Sequence, residues 1–187
     1  MEARSASTGA ITSRSVACGP SAAIAVTRKP VARSATCSTS QTVEVSGGDS
    51  SRETGWSPKP ATATSPGIAS AFDPRLVDNV RAAAAAGQKV IVFLHWGTEY
   101  DSCPDADQQQ LADEFAGAGA AAVVGTHAHV LQGAGWRPDG VYVAYGLSNY
   151  LWWRSFGNEQ DDNGILTLTF DGKRVTKAGF APSHLDD

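Results

Sequence analysis

The apolar positions of this chain change character near residue 66. Before it they follow neither a 3.6-residue nor a 2-residue period, and Ser, Thr, Ala, Arg and Pro are scattered throughout. Such a segment buries too little apolar surface to offset the ~1–2 kcal/mol per residue that ordering a backbone costs, so residues 1–66 are expected to be mostly disordered. One short strand is expected inside it, Thr42-Val43-Glu44-Val45, stopped by Gly47-Gly48. From Ser70 onward the periods are regular. Asp73-Pro74 sets an N-cap before a proline at the first helical position, Leu76, Val77, Val80 and Ala84 form one stripe, and Gly87 ends the helix. Lys89 to Leu94 is a continuous apolar run of strand length, expected to be buried on both faces. A loop from His95 to Pro104 leads to a second helix opened by Asp105, with Leu111, Phe115 and Ala118 on one face. Ala121 to Val124 predicts the next strand, stopped at Gly125, so this stretch reads as a β-α-β unit with a right-handed crossover. Val141 to Ala144 predicts a further strand. Ile165–Phe170 and Val175–Phe180 predict a hairpin around Asp171-Gly172-Lys173. The fold class is α/β.

Charge and composition follow the same seam. Residues 1–66 hold 7 basic against 4 acidic side chains and a single aromatic, Trp56, whereas residues 67–187 hold 8 against 15 and every other aromatic. The net charge of −4 is therefore an average over two unlike segments. Neither segment offers the basic surface that a nucleic-acid backbone requires, and no 18-residue apolar run is present to span a bilayer. Ala22 to Val26 is too short for the apolar region of a signal peptide, and Arg28-Lys29 follows it rather than preceding it. Cys18, Cys37 and Cys103 lack CxxC spacing and read as three unrelated thiols. The acidic stretch Glu159 to Asp162 reads as a solvated loop before the hairpin.

The candidate chemistry lies in the histidines. Of the four in the chain, His95 follows one buried strand, and His127 and His129 follow the next. Ligands of open α/β sheets bind outside the carboxyl ends of the strands. A β-α-β unit sets these two ends on one edge, and side chains two apart in extended backbone point the same way. The three imidazoles are thus expected to converge, and neutral imidazole suits Zn, Fe and Ni. The plainer alternative is three hydrogen-bonded or solvated loop histidines. His184, in the last few residues, lacks this context and is expected to be exposed.

The residues around those histidines resemble the CapA family of poly-γ-glutamate capsule biosynthesis proteins. The resemblance is carried by His95-Trp96-Gly97-Thr98-Glu99-Tyr100 with Pro104, Gln108 and Leu111-Ala112, by Ala118-Gly119-Ala120, and by Val123-Val124-Gly125-Thr126-His127-Ala128-His129-Val130-Leu131-Gln132. Tyr145-Gly146-Leu147-Ser148-Asn149-Tyr150 is similar to that family's Y-S-L-G-N-F segment, with Gly and Ser exchanged. The resemblance implies a metallophosphatase-like layered α/β sandwich, present here as its incomplete C-terminal half. It implies His95, His127 and His129 as ligands of divalent Mn, Fe or Zn, with His127 and His95 sharing one ion and His129 binding a second. Two such ions ~3.5–4 Å apart activate a bridging hydroxide in metal-dependent hydrolysis. Glu99 would then orient a histidine or accept a proton as a catalytic group; its duller reading is a solvated loop acid, and Asp101 and Asp105 are weaker candidates.

The family's upstream Asp-containing and Asn-His motifs find no counterpart, since residues 1–94 contain no histidine. The expected organisation is therefore a leader over 1–66, low in complexity or misread from another frame, ahead of a partial CapA-like region over 67–187. The resemblance implies partners in the capsule or polymer synthesis machinery of the cell envelope, and an extracytoplasmic or membrane-associated place. Three functional readings stand: a metal-dependent phosphoesterase-like hydrolase, a non-catalytic accessory factor for polymer synthesis or export, and an inactive fragment. Trp96, Trp136, Tyr145, Tyr150, Trp152 and Trp153 cluster around the histidine loops, where packing is expected for Tyr145 and Trp152, and either packing or a substrate wall for Trp136 and Trp153.

Overall fold

The computed structural model describes the backbone of residues 41–46, and residues 63–65, 67 and 69–186. The strand expected at Thr42–Val45 lies within β1 (Gln41–Ser46). The rest of the expected leader falls outside the described residues, apart from 63–65. Helix α1 (Pro74–Ala85) starts where expected because the Asp73 carboxylate accepts from Arg75 N at 3.0 Å, filling one of the amide donors that a helix start leaves unpaired. Helix α2 (Ala106–Gly117) carries a capping box in which Asp105 accepts from Gln108 N at 2.8 Å and Gln108 Oε1 accepts from Asp105 N at 3.0 Å.

Strands β2 (Val90–Trp96), β3 (Ala122–His127), β4 (Ala134–Trp136) and β5 (Tyr142–Ala144) join β1 in one sheet of order β1-β2-β3-β5-β4. The β1–β2, β2–β3 and β3–β5 pairs are parallel, and β4 runs antiparallel to β5. The hairpin of β6 (Asp162–Asp171) and β7 (Arg174–His184) forms a second, two-stranded sheet. Both strands are longer than the apolar pattern predicts, because their outer residues are held by backbone pairing rather than by burial.

The alternation of side chains along a strand sorts the core into two layers. Val90, Val92 and Leu94 of β2, with Val123 and Val143, pack under Leu76 and Val80 of α1 and Leu111 and Phe115 of α2. On the other face Ala122, Tyr142 and Ala144 meet Val175, with Ile91, Leu166, Leu168 and Phe170 packed against them. Strand β2 is therefore fully buried only on the helical face, and Ile91 and Phe93 stay half-buried on the hairpin side. Each large side chain buried this way contributes roughly 1.5–3 kcal/mol. Helices on one face of a mixed sheet and a hairpin on the other give the expected α/β architecture, consistent with part of a metallophosphatase-like fold. No helix among the described residues is long and apolar enough to cross a membrane.

Candidate metal centre

Strands β2 and β3 end together, with His95 opposite Thr126 and Trp96 opposite His127. This pairing brings the His95 and His127 rings to 4.5 Å between centroids, and the turn after β3 sets His129 at 6.0 Å from His127. The convergence was expected, but its cause differs. His127 and His129 are not extended: their φ angles are 99° and 56°. A left-handed turn, rather than the two-residue alternation of a strand, brings the rings to one side.

Both of the chain's other non-glycine residues with positive φ, among the described residues, stand at the same place. They are Tyr100 at 66° and Ser148 at 61°. Such conformations cost on the order of 1–3 kcal/mol each and persist only where surrounding contacts impose them. Here the contacts are visible. Tyr100 N donates to Ala128 O at 2.8 Å, which ties the loop after β2 to the turn after β3. Buried Gln132 donates from Nε2 to Asp101 O at 2.9 Å, and buried Gln108 donates from Nε2 to Gln132 Oε1 at 2.8 Å. The start of α2 is thereby locked to both loops.

Gly125 is required by close approach. A Cβ there would lie 2.0 Å from Trp96 Nε1 and 2.1 Å from Tyr145 O, the two partners of a 2.8 Å hydrogen bond. Tyr145 also stacks on Trp96 with centroids 5.9 Å apart, so it packs as expected.

Glu99, His127 and His129 each offer a ligand atom, and these atoms lie within 4.8 Å of one another. Donors on one ion sit ~2.0–2.2 Å from it, so this span closes on a cation with small side-chain rotations. His95 leans on His127 but stands outside that three-donor group. The resemblance pairs His95 with His127, whose rings lie 4.5 Å apart, and His127 also shares a three-donor group with His129 and Glu99.

The ring of His129 is oriented by Asn149, a buried residue of the loop after β5. Asn149 Nδ2 donates to Gln160 O at 3.2 Å, so its Oδ1 is the atom left to accept from His129 Nδ1 at 2.6 Å. The proton is thus on Nδ1 and the lone pair on Nε2, the arrangement of a ligating histidine whose second nitrogen donates to a supporting oxygen. Burial depresses the His95 pKa, aided by the neighbouring His127 and His129 and opposed by Glu99. Burial depresses that of His127 too, against the pull of Glu99. Both rings are therefore neutral at pH 7, the form that binds metals. A set of two imidazoles and one carboxylate with an ordered outer partner fits a divalent Zn, Fe or Mn ion.

Other expectations resolve differently. Asp105 is the cap of α2, and Asp101 accepts from Cys103 N at 2.9 Å, so both serve the loop. Cys103 is disulfide-bonded rather than an isolated thiol, while Cys18 and Cys37 lie outside the described residues. His184 is exposed as expected and pairs with Asp162 at 2.9 Å. In the acidic stretch Glu159 and Asp162 are exposed as expected, but Asp161 is a correction: it is fully buried, and its carboxylate accepts from Phe156 N, Gly157 N and Asn158 N. Hydropathy could not reveal this, because the donors are backbone amides.

Aromatic side chains rim the histidines. Tyr100 stacks on His129 at 6.1 Å and Trp152 meets its edge at 5.3 Å. Tyr150, Leu151 and Trp153, the neighbours of Trp152 in the chain, are exposed, Leu151 at 84% and Trp153 at 77%. Trp136 instead packs edge-on against Tyr142 across the β4–β5 pair.

Residues 2–152 match the sequence profile of a family described as "Bacterial capsule synthesis protein PGA_cap". The chain is 35% identical over 88 residues to "Capsule biosynthesis protein CapA" of Bacillus anthracis, covering 42% of this chain and 21% of that protein. It is 32% identical over 105 residues to "PGA biosynthesis protein CapA" of Bacillus subtilis (strain 168), covering 54% of this chain and 26% of that one. These matches take in between about a fifth and a quarter of the length of the two curated relatives. Among solved structures, a hypothetical protein from Thermus thermophilus aligns with a TM-score of 0.41 at 20% identity, covering 59% of this chain and 50% of that chain.

Proposed function

The chain belongs to the bacterial capsule synthesis protein family PGA_cap, and from that premise we propose that it serves the making of a capsule polymer at the cell envelope through a single divalent-metal site. The observation that carries this reading is the convergence of Glu99, His127 and His129, with the tautomer of His129 set by Asn149. Those three residues would hold the ion, with His95 beside them, and a bound Mn, Fe or Zn would supply a Lewis acid and an acidified water. The chain's own groups divide the remaining work. Glu99 favours the charged forms of His95 and His127, and Tyr100 and Trp152 both contact the ring of His129. The reaction class best suited to this arrangement is phosphoester-type hydrolysis.

Metal analysis of the purified chain is the test. Weakly bound Mn, Fe or Zn that disappears in a His127→Ala/His129→Ala variant supports the reading, and hydrolysis of a generic phosphodiester that disappears with it supports the hydrolase. A chain that takes up none of these metals overturns it, and stoichiometric uptake of two ions overturns the single-site form. A second reading, an accessory factor that engages the polymer or its synthesis machinery without chemistry, is favoured by the exposed Leu151 and Trp153 on either side of Trp152 in the chain. Metal uptake without hydrolysis would select it.

A further inference from the structure

We infer that Asp161 is a positioning residue for the histidine site, acting through the loop that it folds. The inference deepens the metal-site reading and rests on it for its functional meaning. Asp161 is 0% exposed, and no carboxylate is held that way without compensating donors. The compensation is a set of backbone amides. Phe156 N donates to Oδ1 at 2.8 Å, Gly157 N donates to Oδ2 at 2.6 Å and Asn158 N donates to Oδ2 at 3.3 Å.

Three consecutive N–H groups aimed at one carboxylate fix the course of the chain from Phe156 to Asp161. Two routes run from that loop to His129. In the first, the Gln160 carbonyl accepts from Asn149 Nδ2 at 3.2 Å and from Ser148 Oγ at 3.4 Å, and Asn149 Oδ1 in turn accepts from His129 Nδ1. In the second, the Phe156 ring lies 6.5 Å from that of Trp152, whose edge meets His129. The polar and one of the aromatic supports of this imidazole thus both depend on a loop organised by a single buried carboxylate. An amide in its place keeps the shape of the side chain but turns an NH2 group toward backbone N–H donors. The loop then has to reopen, Gln160 O shifts, and Asn149 no longer holds its carbonyl toward His129.

The experiment reads the His129 ring itself, in the metal-free chain, by NMR correlation of its ring nitrogens and carbons. The wild type is expected to show the Nδ1–H tautomer. Asp161→Asn is expected to lose that preference and to lower the affinity for added Zn²⁺ or Mn²⁺ about tenfold. Asn158→Ala removes the side-chain acceptor of Gln160 N, which is 2.9 Å away, and is expected to shift the His129 signals less, in the same direction. Asp162→Asn, which removes only the charge facing His184 one residue along, is the control for general loosening and should leave them in place. Unchanged His129 signals in folded Asp161→Asn overturn the inference, as do equal shifts in Asp162→Asn. Should Asp161→Asn not fold, Asn158→Ala decides on the same criterion. Because the tautomer is read without metal, a chain that binds no ion but responds to Asp161→Asn refutes the metal site and leaves the positioning role standing.

Discussion

Gly125→Ala tests whether the ends of β2, β3 and β5 are held by one close contact. The added methyl carbon would press against the side of the hydrogen bond between Trp96 Nε1 and Tyr145 O, at 2.0 and 2.1 Å from its two partners. Neither neighbour can retreat easily. Tyr145 O is backbone, and Trp96 is 2% exposed in a packed core. The substitution therefore loses the indole hydrogen bond, about 0.5–1.5 kcal/mol, and overpacks the core, about 1–3 kcal/mol, for a total near 3 kcal/mol. In urea denaturation, with a slope of about 2 kcal/mol/M, the midpoint should fall by about 1.5 M. Trp96→Phe removes the N–H and the crowded half of the indole, so the same change in that background should cost at least about 1 kcal/mol less, the signature of direct coupling. A loss below about 1 kcal/mol, or equal losses in both backgrounds, refutes the account of the contact.

Three further outcomes are expected. Asn149→Ala should weaken Zn²⁺ or Mn²⁺ binding about 10–100-fold with an unchanged circular dichroism spectrum, and calorimetric titration showing full affinity would remove Asn149 from the site. Asp105→Ala should cost about 1 kcal/mol by uncapping α2, which a thermal melt identical to wild type would disprove. The His184 pKa is raised, chiefly by its hydrogen bond to Asp162. Its stabilisation is therefore complete below the ordinary value of 6.5 and is lost as pH rises through the higher folded value. His184→Gln should narrow the difference between denaturation midpoints at about pH 5.5 and about pH 8.5, and an unaltered difference would count against the pair.

What the sequence disclosed was local. The starts of α1 and α2 were legible because Asp73 and Asp105 cap the segments that they introduce, and β2 because its apolar run needs no partner to be recognised. Strand β4 was not legible: Ala134-Gly135-Trp136 has no apolar alternation and exists through pairing with β5. The meeting of His95, His127 and His129 followed from strand ends on one edge, but the positive φ angles that aim the last two are imposed by contacts with Tyr100 and Asn149. Asp161 was misread for a similar reason. A charge in a run of acids reads as solvated until the chain folds three amides around it.

The left-handed backbone at Tyr100, His127, His129 and Ser148 sets the site at odds with the endurance of the fold. Each of these residues is an unfavourable choice that glycine or asparagine would relieve, at on the order of 1 kcal/mol or more. A population of variants selected only for surviving heat would drift first at these four positions, trading imidazoles and their neighbours for residues content with the turn. Such a selection, run blind to activity, would outline the site by what it discards.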